Sequence, residues 1–216
     1  MRKIVLERFG GPEVLDLVEA PEPQVPRDGY VVELKACGVN FADVVERRGR
    51  YRKDQKLPYE LGKEAAGTVV ARGRSAREFD LGERVVVIKF AGGCYAERVA
   101  VGPKMLLPAP AGLSFEELAA FPITYVTAYY AMHEIARVRP GESVLIQAAA
   151  GAVGSAAVQL ARVHGCRPIL GTVGSAEKAR FVEELGADRG IDYRAGDFSP
   201  AVLAATGGQG VDYVLE

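Results

Sequence analysis

Apolar and polar positions change rhythm along the chain. Before Ser114, short apolar runs at Lys3–Arg8, Val14–Glu19, Tyr30–Ala36, Ala65–Ala71, Arg84–Lys89 and Tyr95–Val101 are split by glycine and proline turns. That spacing predicts a barrel of short strands. A short helix is expected after Asn40, ending near Arg48-Gly49. From Ser114 the period lengthens. Ser114-Phe115-Glu116-Glu117 is a helix-capping signature, and Ile123–Val138 reads as a further helix after Pro122. Strands and helices then alternate. Strands are predicted at Val144–Gln147, Pro168–Thr172, Asp188–Asp192 and Val211–Leu215. Helices are predicted at Val153–His164, Ser175–Leu185 with Ser175 as cap, and Pro200–Ala205. Alternation of this kind implies a parallel sheet with helices on both faces. The reading is an α/β chain in two domains, 1–122 and 123–216, the second ending on an uncovered strand. An open parallel edge leads us to expect that the sheet continues beyond Glu216.

Composition narrows the class only slightly. The 216 residues include 27 basic and 28 acidic side chains, for a net charge of −1. No basic surplus points to nucleic acid. The three cysteines, Cys37, Cys94 and Cys166, lie far apart and form neither a disulfide framework nor a zinc pattern. Met1–Glu7 reaches an acid before any secretory apolar core forms, and a cytoplasmic location is expected. Ser143–Ala161 is uncharged and nearly long enough to span a bilayer, but its glycines, glutamines and alanines suit a protein core better.

The chemistry concentrates in that same stretch. After the run Val144–Gln147 come Ala148, Ala149, Ala150, Gly151, Ala152, Val153 and Gly154, then an alanine-rich helical run. The spacing matches the dinucleotide fingerprint, with Ala149 in the first glycine slot and Gly151 and Gly154 in the others. The turn would offer backbone N–H groups at a helix N-terminus to a pyrophosphate. At the end of the next strand the residues are Gly171-Thr172-Val173-Gly174-Ser175. No carboxylate stands there to hold the adenosine ribose hydroxyls and repel a 2′-phosphate. Ser175 offers a hydroxyl and Lys178 a point charge, so NADPH is the expected cofactor, with Glu177 the one contrary feature.

The whole order resembles the medium-chain dehydrogenase/reductase superfamily, in its zinc-free quinone oxidoreductase branch. The residues that carry the resemblance are the barrel-like first half, Pro140-Gly141-Glu142, Ala148 to Gly154, Gly171 to Ser175 and Gly210-Val211-Asp212-Tyr213-Val214. Ala36 to Asp43 is also similar to the vesicle amine transport protein subgroup. The resemblance implies a GroES-like β-barrel domain followed by a Rossmann doubly wound sheet, incomplete at its C-terminus. It implies that Asn40 and Tyr51 flank nicotinamide and substrate, and that Thr127 lies near the carboxamide. It implies Lys178 and Tyr193 at the 2′-phosphate and a homodimer for the full-length protein. Zinc relatives place Cys, His and Cys or an acid at slots occupied here by Asn40, Lys63 and Ile123, so no metal is expected. Asp43 and Glu64 read as structural, paired with arginines or backbone groups. His133 and His164, the only two histidines, are assigned to separate helices. The expected activity is hydride transfer from NADPH to a quinone or conjugated carbonyl. The alternatives are an enoyl-thioester reductase, perhaps one domain of a synthase, and a non-catalytic NADPH-binding protein of the vesicle- or RNA-associated kind.

Overall fold

A computed structural model describes all residues 1–216. The chain divides into two compact units, Met1–Ile123 and Thr124–Glu216, each described here by itself.

In the first unit, β1 (Arg2–Leu6) and β2 (Leu15–Glu19) form an antiparallel hairpin. The other strands are β3 (Tyr30–Cys37), β4 (Glu64–Arg72), β5 (Arg84–Ile88), β6 (Arg98–Val101) and β7 (Leu106–Pro108). They make an antiparallel sheet in the order β6-β3-β4-β5-β7. Alternation along these strands sorts side chains onto two faces. Tyr30, Val32, Val69, Val85, Val87 and Val101 fill one core, with Phe79 set edge-on to Tyr30 at 5.5 Å. The Tyr30 hydroxyl accepts the Glu78 and Phe79 N–H groups, so its polar end is also satisfied. Ala66 and Val86 face the other way, against Leu118 and Ala119 of α2 (Phe115–Ala120). The predicted capping box opens α2: Ser114 Oγ accepts Glu117 N–H at 3.2 Å, and Glu117 accepts Ser114 N–H at 2.7 Å. The strand expected from Tyr95 begins only at Arg98. Tyr95 is diverted: its N–H goes to Leu61 O and its hydroxyl to Asp43.

The second unit holds the parallel sheet. Its strands are β8 (Val144–Ile146), β9 (Ile169–Val173), β10 (Arg189–Asp192) and β11 (Tyr213–Leu215), in the order β10-β9-β8-β11. Its helices are α4 (Ala152–His164), α5 (Ala176–Glu184) and α6 (Ser199–Ala205). Ala156, Ala157 and Ala161 of α4 and Val182 of α5 share a core with Ile146, Ile169 and Val173. Leu145, Leu170 and Ile191 face the other side, against Val202 of α6. Ser143 and Asp212 pin the ends of β8 and β11, the Asp212 carboxylate accepting both Ser143 N–H and Oγ–H at 2.7 and 2.6 Å.

The expected helix Ile123–Val138 is broken. Helix α3 (Pro122–Tyr129) passes into a π-helical stretch, Tyr130–Ile135. Its wider turn is closed by an i→i+5 bond from Ala136 N–H to Ala131 O, and Arg137 then leaves with a positive φ of 55°. This carries His133 against His164, with ring centroids 4.5 Å apart.

Candidate active site and nucleotide turn

The small-residue turn lies between β8 and α4. Ala148 sits at a positive φ of 48°, and its carbonyl accepts the Gly151 N–H at 2.8 Å. Ala149 is buried, and its N–H bonds to Thr172 O, which ties the turn to β9. Each fingerprint position has a separate cause. A Cβ at Gly154 would lie 2.7 Å from Ala149 Cα and closer still to the Ala148 carbonyl oxygen. Both neighbours are backbone, so only glycine lets α4 approach the strand this closely. A Cβ at Gly151 would meet only Ala148 O, at 3.1 Å. The fold constrains Gly151 less than Gly154, since the Ala148 carbonyl would have to give by only a few tenths of an ångström, and the bareness of Gly151 suits the close approach of a ligand. Gly151 caps α4, and the 13-residue helix adds its dipole to the free N–H groups there. Ala150 and Val153 pack on the core and Ala152 is exposed, so these three offer a ligand chiefly their backbone.

The strand order reverses between β8 and β11. Ligands in open α/β sheets bind at such a switch point, outside the C-terminal strand ends. A cleft of about 530 Å³ lies at those ends, lined by Gln147, Ala148, Thr172, Tyr193 and Phe198 among others.

At the end of β9, Ser175 caps α5, its Oγ accepting the Lys178 N–H at 3.2 Å. Lys178 is exposed and in no ion pair, and Glu177 is also exposed. Tyr193 comes in from the end of β10, its hydroxyl 2.9 Å from where a Cβ on Gly174 would stand. Gly174, Ser175 and Tyr193 therefore meet at one corner. Arg194, which the sequence reading passed over, joins them with its Nε 3.5 Å from that same Cβ position. Its signal was its place directly after Tyr193. Thr127 lies in α3 and is exposed.

In the first unit, Asn40 is set by the start of α1 (Phe41–Arg47), where the Asp43 carboxylate accepts the Asn40 N–H at 2.8 Å. Asn40 Nδ2 donates to Glu64 at 2.6 Å, and Glu64 also accepts the Ile123 N–H at 2.7 Å. Glu64 is 1% exposed. Burial pushes its carboxyl above the usual range, and the two N–H donors oppose the shift. Lys63 is also buried, paired with Glu46 at 2.5 Å and lying 3.9 Å from Asp43. Its ammonium lies 4.8 Å from the centre of the Tyr51 ring, a cation–π contact. Asp43 further accepts from Tyr95 at 2.8 Å, and the Tyr95 hydroxyl is pushed up by burial first and by Asp43 second. Tyr59 donates to Glu46 at 3.5 Å and is pushed up to about 12, mostly by burial. The structure thus draws Asn40, Tyr51, Asp43 and Glu64 into one network. Their partners are lysine, tyrosines, an amide side chain and backbone N–H groups, where arginines were also expected. The Lys63–Glu46 pair went unforeseen, because two acids and a lysine spread over Asp43–Lys63 look like solvated surface.

A zinc ion does not fit this donor set. The three slots hold an amide committed to Glu64, an ammonium committed to Glu46 and an alkyl side chain. Zinc binds thiolate, imidazole or carboxylate.

A GroES-like sheet joined to a parallel nucleotide-type sheet defines a class of two-part oxidoreductase folds, and the comparisons agree. The family model "Alcohol dehydrogenase GroES-like domain" matches residues 26–111 and "Zinc-binding dehydrogenase" matches 152–216. The quinone oxidoreductase of Rattus norvegicus is 37% identical over all of this chain and 66% of its own length. The synaptic vesicle membrane protein VAT-1 homolog of the same species is also 37% identical, over 53% of its length. The Escherichia coli quinone oxidoreductase complexed with NADPH superposes with a TM-score of 0.92 at 36% identity, covering 99% of this chain and 65% of that one. A structure described as an NAD-dependent alcohol dehydrogenase gives 0.94 at 35%, covering 99% and 70%. The CurK enoyl reductase gives 0.90 at 30%, covering 100% and 66%. The chain belongs to the medium-chain dehydrogenase/reductase superfamily. It spans about two thirds of the length of the quinone oxidoreductases it matches.

Proposed function

We propose that the protein is an NADPH-dependent reductase that reduces a quinone or an α,β-unsaturated carbonyl without zinc. The observation that carries this reading is the buried Lys63–Glu46 pair next to Glu64–Asn40, where a metal-dependent relative needs ligands. Without a Lewis acid, reduction of a conjugated carbonyl is favoured over oxidation of a simple alcohol, because conjugation already spreads the developing charge. NADPH, when bound, supplies a hydride to the β-carbon or to the quinone. The chain's own residues then have distinct tasks. Gly151 and the N-terminus of α4 receive the pyrophosphate. Lys178, Ser175 and Tyr193, with Arg194 added, surround the 2′-phosphate. Thr127 is assigned to the carboxamide. Asn40 orients the substrate, and Tyr51 or water donates the proton that completes the product.

The corner at Gly174 makes the cofactor choice testable. NADPH is expected to bind at least about ten-fold more tightly than NADH, since a charge–phosphate contact is worth roughly 1.5–3 kcal/mol. Lys178→Ala should remove most of the preference, and Arg194→Ala part of it, in fluorescence titrations. Equal dissociation constants in the wild type would contradict the reading. Elemental analysis of protein purified without metal-affinity steps should find no stoichiometric zinc. One tightly held zinc per chain would overturn that part of it. The likeness to CurK favours enoyl-thioester reduction as a second reading, and kcat/KM over a thioester series against simple quinones separates the two. NADPH binding without turnover is the third outcome of the same assay.

A further inference from the structure

Three acids are buried in the first unit, Asp43, Glu46 and Glu64. Two have Lys63 as their counter-charge. Glu64 has no cation at ion-pair distance and is held by two N–H donors, Asn40 Nδ2 and the Ile123 amide. The chain makes room for it. A Cβ on Gly38 would stand 2.5 Å from Glu64 Cγ and 2.6 Å from the Ala119 carbonyl oxygen, so glycine is required opposite this carboxylate. Gly38 N–H also bonds to Glu64 O at 3.1 Å, which fixes the end of β3 against the start of β4.

An isolated acid buried this deeply is unfavourable unless it is hydrogen-bonded. An ionised carboxylate only accepts, so it dictates which end of a neighbouring amide faces it. The Ile123 N–H serves Glu64 Oε2 and Asn40 Nδ2 serves Oε1, so each carboxylate oxygen has one donor. Contact with Asn40 gives the acid a second effect.

We propose that Glu64 is a positioning residue that acts through Asn40. Its carboxylate takes Asn40 Nδ2 and so fixes the amide's orientation, which settles which end of Asn40 meets the ligand. This rests on the reductase reading above and extends it by one residue. A neutral Glu64, or a glutamine there, can donate as well as accept. Asn40 can then turn over, and its ligand-facing end is no longer unique.

The experiment follows NADPH oxidation with a small para-quinone for the wild type, Glu64→Gln, Asn40→Ala and the double variant. Glu64→Gln should lower kcat/KM by about ten-fold or more at neutral pH, a loss of orientation rather than of chemistry. It should also remove an acid limb that the wild type shows above the ordinary carboxylate range of about 4.3. The double variant should be no slower than the worse single one, because residues acting as a unit are not additive. Multiplying losses, or an acid limb untouched by Glu64→Gln, overturns the proposal. The side-chain amide resonance of Asn40 gives a readout free of turnover. In the wild type it should move with pH as Glu64 titrates, and an amide that does not titrate also overturns the proposal. A protein that reduces no quinone yet shows the titration refutes the reductase reading and upholds the Glu64–Asn40 coupling. The wild-type titration stands as the test even where Glu64→Gln does not fold.

Discussion

Gly154 and Gly151 sit three residues apart in one turn, yet the structure asks different things of them. A side chain at Gly154 meets backbone, which has nowhere to go, and overpacking of that kind costs about 1–3 kcal/mol. Gly154→Val should therefore lower thermal stability and weaken dinucleotide binding together. Gly151→Ala should cost clearly less stability than Gly154→Val while still weakening binding. Thermal melts with cofactor titrations on both variants check this, and a Gly151→Ala protein that binds normally removes Gly151 from the site. Lys63 gives a second contrast. Removing one partner of a buried ion pair strands the other charge, at a cost of about 3–5 kcal/mol. Lys63→Gln should approach that loss in denaturant unfolding, because Glu46 and Asp43 then lose their shared counter-charge, and a loss below about 1 kcal/mol would mean the cluster is solvated.

The same logic governs individual elements. Ser175 caps α5, and Ser175→Ala should cost about 0.5–2 kcal/mol, because the Lys178 N–H loses its acceptor. The π-helical stretch Tyr130–Ile135 carries a different consequence. His133 lies between Tyr129, at 4.4 Å, and His164, at 4.5 Å, and His164 Nε2–H donates to Val138 O at 2.8 Å. Burial first and His164 second hold the His133 pKa below its ordinary value, against a smaller pull from Glu134. The folded state therefore binds fewer protons than the unfolded chain below about 6.5. Stability from this source is complete above that pH and is lost as pH falls towards the depressed folded value. His133→Gln should flatten the midpoint-against-pH curve in that window, and an unchanged curve would place the pH dependence elsewhere. None of this was legible in the residues. Ala131 to Val138 keeps an ordinary helical pattern, nothing marks an i→i+5 turn, and Arg137 takes a positive φ without being glycine. The caps at Ser114 and Ser175 were legible, because a serine hydroxyl just before a helix-forming run is a local signal that tertiary packing rarely overrides.

At the scale of the whole molecule, the sequence showed the order of parts better than the contacts between them. Period-two runs before Ser114 and alternating strands and helices after it mark the two sheets, because burial imposes those periods directly. Gly154 was readable as a packing glycine from its spacing alone. The acid–lysine network was not, since Asp43 and Glu46 of α1 meet Lys63 and Glu64 only when α1 packs at the start of β4. No helix is long and apolar enough to cross a membrane. The chain carries both the turn suited to a pyrophosphate and the Asn40 network, so its chemistry is open to one direct trial. NADPH labelled with deuterium at the transferring position is incubated with the protein and a small conjugated enone, and the product is examined by mass and position of label. One deuterium is expected at the β-carbon, formed at the rate at which NADPH is consumed. Label absent from the product, or NADPH bound and never consumed, would contradict it.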